Sequence, residues 1–226
     1  MKSRKEIKAL AKTNFKSRYW FCVGMAFLMG LIISALGGTG IGAILLTGPL
    51  CIGLNFLWIN VFTGSNVDAG APFSKAFEDF GRKLGGYWWM ILHLFLWCLI
   101  PVAGVFIAIV KSFAYSQTLY LLADCPNVAA QDALSLSRRM MKGHKWQLFV
   151  FDLSFIGWWL LAVITCGLVG VFYLAPFQST ARAGWYLELR EQCLREGVIT
   201  ADELNGTVPG AAAPAIEAPA AEAEQE

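Results

Sequence analysis

Long apolar runs alternate with short basic stretches over most of the chain, and each apolar run is a candidate membrane-spanning helix. Crossing about 30 Å of hydrocarbon takes about 20 residues, which most of the runs approach, although the first and third are shorter. Turns at 37–40, 101–104 and 165–170 join the runs in pairs. The pattern predicts an all-α, polytopic transmembrane helical bundle of six spans as three hairpins, at 20–36, 41–62, 86–100, 102–122, 146–165 and 168–186.

The basic residues all lie between the hairpins, with the single exception of Lys111. They fall in 2–18, 75–83, 138–145 and 182–195, whereas the three turns carry no charge. Because basic loops stay in the cytoplasm, the chain is predicted to be a multi-pass protein of the cytoplasmic membrane with both termini inside. A continuous helix over 86–110 would give five spans and put 138–145 outside, so the charges favour a split at Pro101.

Two amphipathic helices are predicted at the membrane surface. The first occupies 1–18 and carries Ile7, Leu10, Ala11 and Phe15 on one face with lysines on the other, the pattern of a helix that lies among lipid headgroups. The second, at about 130–142 within the six-span region 19–190, is expected to stop at Gly143. The remainder, 191–226, is predicted to be the cytoplasmic end of the last helix and then, after residue 197, a disordered Ala/Pro/Glu tail.

Composition narrows the classes of function. The chain is 57% hydrophobic and only 15% charged, with a net charge of +2, and no basic soluble domain is visible that would bind nucleic acid. The basic stretches are expected to bind anionic lipid headgroups, and a membrane-protein partner or a second copy of the chain is a further candidate. The six cysteines are scattered singly, and no nucleophile, phosphate-loop or metal motif is present. We therefore predict no enzyme activity, no cofactor, and no catalytic or metal-binding residue.

Five polar residues in the predicted spans form the candidate site, and they are Lys111, Asp152, His93, Asn55 and Arg182. Lys111 lies roughly 14 Å into its span at 1.5 Å per residue. A lysine at that depth costs on the order of 3 kcal/mol, so it needs a partner, for which Asp152 is the favoured candidate. A salt-bridged layer that only sets the helix register is the favoured interpretation; a cytoplasm-facing cavity of a small transporter or channel is the alternative.

An internal three-fold repeat is a further hypothesis. Each hairpin begins with a tryptophan, at Trp20, Trp89 and Trp146, and Arg82 aligns without gaps with Arg139 when the second and third are superposed. Repeats of this kind are common in membrane proteins. Tryptophan also recurs at any membrane interface, so both interpretations stay open.

Several short runs follow one another in the second half of the chain: LADCP at 122–126, ALSLS at 133–137, MKGHKW at 141–146 and LSFIGW at 153–158. On these runs the chain resembles an uncharacterised bacterial family of integral membrane proteins, the domain of unknown function 975. Lys111 and Pro101 also match the pattern of that family. The resemblance implies a multi-span bacterial membrane protein and carries over no activity.

Overall fold

The computed structural model describes residues 3–37, 41–98, 103–165 and 167–206, and within these ranges the chain forms helices and turns without a β-strand. The all-α fold class is confirmed at this level. In chain order the helices are α1 (Arg4–Ser17), α2 (Tyr19–Gly37), α3 (Ile41–Thr63), α4 (Ala71–Phe77), α5 (Phe80–Cys98), α6 (Ala103–Tyr115), α7 (Thr118–Asp124), α8 (Ala130–Met140), α9 (Lys145–Leu153), α10 (Ile156–Ile164), α11 (Ala175–Arg195) and α12 (Ala201–Leu204). The predicted turn residues 38–40 and 101–102 and the predicted tail from residue 207 onward lie outside the described residues.

Three segments of the described chain are long and apolar enough to cross a membrane: Tyr19–Leu36, Leu45–Thr63 and Lys145–Ile164. The first two lie in α2 and α3, whose bounds agree closely with the predicted spans 20–36 and 41–62. Pro49 lies inside α3 without ending it. The other predicted spans reach outside the described residues, are divided into shorter helices, or take in polar residues.

Two predicted spans are interrupted at a serine. The span 102–122 consists of α6 and α7, and its break follows Ser116, whose hydroxyl donates to the carbonyl of Phe113 at 2.8 Å. The span 146–165 consists of α9 and α10, and its break lies at Ser154, whose hydroxyl donates to the carbonyl of Phe151. A serine hydroxyl competes with the backbone for helical carbonyls, and at both breaks such a bond stands beside the interruption of the helix.

Helix α1 packs against α3 and α11 instead of presenting its apolar face outward. Ile7, Ala11 and Phe15 are fully buried in the protein, and only Leu10 of the predicted apolar face remains 41% exposed. The ring of Phe15 meets that of Tyr173 edge-on at 5.8 Å. This differs from the expected contact with lipid headgroups, because aromatic residues near α11 cover the same face.

Helix α8 corresponds to the second predicted surface helix. Its apolar side, including Leu136 and Met140, is buried against neighbouring helices, while Arg138 is exposed. Gly143 follows with a φ of +87°, a left-handed conformation that glycine adopts without steric cost. Helix α8 itself ends at Met140, three residues before the predicted stop at Gly143.

Several helices contribute to the core. Its largest fully buried side chains include Phe15, Tyr115, Phe155 and Trp185, which come from α1, α6, the break before α10, and α11. Large exposed apolar side chains gather instead on α2, on the later part of α5, and on α10. The molecule therefore divides into a packed part and an apolar part whose surface stays open.

Three arginines each bond to a backbone carbonyl in a loop that lies much later in the chain, and we call them the clasp arginines. Each donates to a backbone carbonyl, 47, 46 and 59 residues away in turn: Arg18 to Ser65 at 2.6 Å, Arg82 to Val128 at 2.8 Å, and Arg139 to Val198. The three stretches of chain that they close do not overlap. Arg82 and Arg139, which align in the proposed repeat, therefore share one structural role.

Residues 198–206 form a strap that packs on the bundle, and we call it the C-terminal strap. Ile199 is buried, and α12 begins with a capping box between Thr200 and Glu203. Glu203 also forms an ion pair with Arg139 at 2.6 Å. The predicted disorder after residue 197 is wrong for this stretch, because a hydrophobic side chain and an ion pair fix it to the bundle.

Candidate functional site

The centre of the candidate site is an ion pair between α9 and α11. Arg182 donates from Nε to one carboxylate oxygen of Asp152 at 2.8 Å and from Nη2 to the other at 2.6 Å. This two-bond geometry fits a planar guanidinium to a planar carboxylate and is among the stronger forms of ion pair. The side chain of Asp152 is 17% exposed and that of Arg182 is 45% exposed, so the pair reaches the protein surface on the arginine side.

A lysine from α1 extends this site. The ammonium of Lys8 donates to the backbone carbonyl of Ser154 at 3.3 Å and to the hydroxyl of the same residue, and it lies 3.9 Å from the ring centre of Phe155. Burial lowers the pKa of Lys8, and the charge of Asp152 partly opposes that effect. The site therefore contains two cations and one carboxylate at the break between α9 and α10.

Two of the five predicted residues are brought together, and the others have different surroundings. Both oxygens of Asp152 accept from Arg182, where the sequence favours Lys111 as the partner. Lys111 instead lies within the electrostatic reach of the cations Arg138 and Lys145. Its position on α6 is thus close to positive charge.

The remaining two predicted residues lie on other helices. The ring of His93 is bonded through Nδ1 to the carbonyl of Trp89 in its own helix at 2.9 Å, and it packs near the rings of Trp89 and Tyr115. Asn55 is half-buried on α3. Sequence reasoning did not find Lys8, because nothing in the pattern distinguishes it from the other lysines on the polar face of α1.

A second polar network lies at the end of α7 beside α11. Asp124 accepts from the hydroxyl of Tyr186 at 2.8 Å and from the guanidinium of Arg190. Burial would lower the pKa of Arg190, but the charge of Asp124 holds it above its ordinary value. A cavity of about 360 Å³ adjoins this network and is lined by the C-terminal strap on its other side.

The surroundings of Cys125, whose thiol borders this cavity, make that thiol unreactive. Burial, and then the charge of Asp124, raise the pKa of Cys125 to about 12, so the thiol stays protonated at neutral pH. Within the described ranges no group of three or more His, Cys, Asp or Glu side chains could hold a metal ion. The chemistry that these two networks support is the binding of charged groups.

Comparison with known proteins gives one match. The family model described as Protein of unknown function (DUF975) matches residues 82–193, a region that contains Lys111, Asp152 and Arg182. No curated protein and no solved structure matches the chain.

Proposed function

Because the chain belongs to the DUF975 family of proteins of unknown function, we propose its function from its own geometry. The proposal is a non-enzymatic, multi-pass protein of the bacterial cytoplasmic membrane whose basic inner face binds anionic lipids. The family supplies no activity, and the open surfaces of the protein and their charges support this function.

The exposure of two apolar segments carries this proposal. Only 22% of the residues of Tyr19–Leu36 and of Lys145–Ile164 are buried inside the protein, against 56% for Leu45–Thr63. Apolar surface left in water costs roughly 25 cal/mol per Å², and large contiguous apolar surfaces normally have a partner. Lipid hydrocarbon is the partner that fits helices of this length.

The inner boundary of the membrane is set, in this proposal, by exposed aromatic and basic residues. Trp20 is 82% exposed at the start of α2 and Trp146 is 70% exposed at the start of α9, and basic residues precede both along the chain. Tryptophan favours the headgroup layer, and cations favour the anionic inner leaflet. With six spans in three hairpins, both termini are then cytoplasmic.

Helix α1 contacts lipid through its cations in this arrangement. Lys5, Lys12 and Lys16 are exposed, whereas the apolar face of the helix is used by the protein core. Each such cation near an anionic membrane surface contributes roughly 1 kcal/mol. Binding is then expected to depend on lipid charge and to weaken with salt.

A topology experiment tests the proposal. We expect a protein that resists alkaline extraction from membranes, with a fluorescent reporter fused after Glu226 active and a periplasmic phosphatase fused there inactive. Purified protein should bind vesicles of phosphatidylglycerol more strongly than vesicles of phosphatidylcholine. Release by alkali, or an active phosphatase fusion, would refute the proposal. Oligomeric state measured in detergent tests the alternative occupant of the open helices, another copy of the chain.

A small transporter or channel is the second candidate function. The observation that favours it is the partial exposure of the Asp152–Arg182 pair, with the cation Lys8 beside it. Replacing Asp152 by Asn separates the two candidates. An unchanged phenotype in the folded variant supports a structural role for the pair, whereas loss of a specific flux in the folded variant supports the transporter.

A further inference from the structure

Three cations from three different elements lie within electrostatic reach of one another around Lys111. Lys111 belongs to α6, Arg138 to α8, and Lys145 begins α9. The charges of Arg138 and Lys145 both act on the ammonium of Lys111. Gathering like charges costs free energy, and the cost falls when an anion lies between them.

Direct contacts between the three elements fix this convergence. The buried hydroxyl of Ser137 donates to the carbonyl of Ala114 at 2.8 Å, which holds the end of α8, and so Arg138, against the end of α6. The rings of Phe113 and Phe149 meet edge-on at 6.0 Å, which places α6 along the first turns of α9. The positions of the cations therefore follow from packing.

An aromatic shelf borders the three cations. Trp146 is 70% exposed and stacks on Phe149 at 5.1 Å, and Phe149 in turn contacts Phe113. On α6, Ile109 and Val110 directly precede Lys111 and are about half exposed. Positive charge and exposed apolar side chains thus lie next to one another on α6 and at the start of α9.

We propose that Lys111, Arg138 and Lys145 bind the phosphate of an anionic phospholipid, with its acyl chains lying along Trp146 and Phe149. Lysine and arginine donate charge-assisted hydrogen bonds to phosphate oxygens. The aromatic shelf can contact the acyl chains of a phospholipid, which free phosphate does not have. This inference rests on the proposed membrane function and names one lipid site within it. It also accounts for a lysine in the apolar helix α6, about 6 Å from the end of that helix at 1.5 Å per residue.

The test compares cluster variants with a matched control on the full chain. The wild type, Lys111→Gln and Lys145→Gln are purified in detergent and titrated with phosphatidylglycerol, and bound lipid is counted by native mass spectrometry. Arg195→Gln removes the same charge from an exposed position at the end of α11. We expect each cluster variant to lose affinity about fivefold, the equivalent of roughly 1 kcal/mol per cation, and the control to change less than about twofold.

A conservative variant, a folding check and a competition measurement complete the test. Lys111→Arg should retain the affinity, and thermal unfolding in detergent checks that each variant is folded. Equal losses in cluster and control variants, or no loss in either, would show that binding is nonspecific and would overturn the site while leaving the membrane function intact. Failure of the wild type to insert into membranes would overturn the proposed function itself. If inorganic phosphate displaces the lipid at matched concentration, the ligand is free phosphate and the lipid assignment is wrong.

Discussion

The attachment of the C-terminal strap can be tested with one substitution, Glu203→Ala. The ion pair between Glu203 and Arg139 is largely shielded from water, with side chains 6% and 14% exposed and bonds of 2.6 and 3.1 Å. Removing one partner of a buried pair costs about 3–5 kcal/mol, because the other charge stays buried without compensation. Glu203 also accepts from the backbone N–H of Thr200 at 2.9 Å, so its loss removes a helix cap as well.

Amide hydrogen exchange of the full chain in detergent measures this effect. A loss of about 3 kcal/mol in the free energy of local opening corresponds to exchange on the order of 100-fold faster in residues 198–204. Arg138→Met, which removes an exposed cation from the same helix, is the control and should leave the strap protected. The double variant Arg139→Met/Glu203→Leu should exchange more slowly than Glu203→Ala, since no buried charge remains. Strap protection that is unchanged in Glu203→Ala would refute this reasoning.

Three further predictions concern packing, the interhelical ion pair and the buried thiol. Gly184→Ala would place a methyl group into the ring of Phe62, so we expect the free energy of unfolding to fall by about 1–3 kcal/mol. Gly157→Ala is the control, because open space surrounds Gly157 and no loss is expected. Equal melting temperatures of the two variants would contradict this prediction. Asp152→Asn leaves the guanidinium of Arg182 without a carboxylate partner. We expect the free energy of unfolding to fall by about 1–3 kcal/mol, because the pair is less exposed than a surface ion pair and less buried than one in the core. An unchanged melting temperature would show that the pair contributes nothing. In a variant that retains only Cys125, a pKa of about 12 keeps the thiol protonated at pH 8. We therefore expect iodoacetamide to react with Cys125 only after denaturation. Rapid labelling of the folded protein would be the contrary result.

The sequence predicted the helical class well and the breaks in the helices poorly. Hydrophobic runs located the ends of α2 and α3 to within about a residue. Apolar helices that are long enough to span a bilayer are easily recognised from hydrophobicity along the sequence. The interruptions after Ser116 and at Ser154 have no glycine or proline to mark them. A serine bonded to a helical carbonyl does not mark them either, because Ser112 and Ser135 make the same bond inside unbroken helices.

The candidate site was predicted in part for a similar reason. Asp152 and Arg182 could be identified as polar residues in apolar surroundings, but the choice of partner depends on the rotation of α9, which hydrophobicity alone does not define. The strap was missed although its signal was readable, because Thr200 and Glu203 stand at capping-box spacing. The alanine-rich composition around them outweighed that signal in the prediction of disorder.

The clasp arginines have a consequence for biosynthesis. Each one reaches a carbonyl that follows it by 47, 46 or 59 residues, and none of the stretches so closed includes residues of the next. A nascent chain can therefore complete the first closure while the later parts are still being translated, and the second before the third leaves the ribosome. The three closures would then become possible one after another from the amino terminus, and a truncated product ending after Gly70 would already contain both residues of the first.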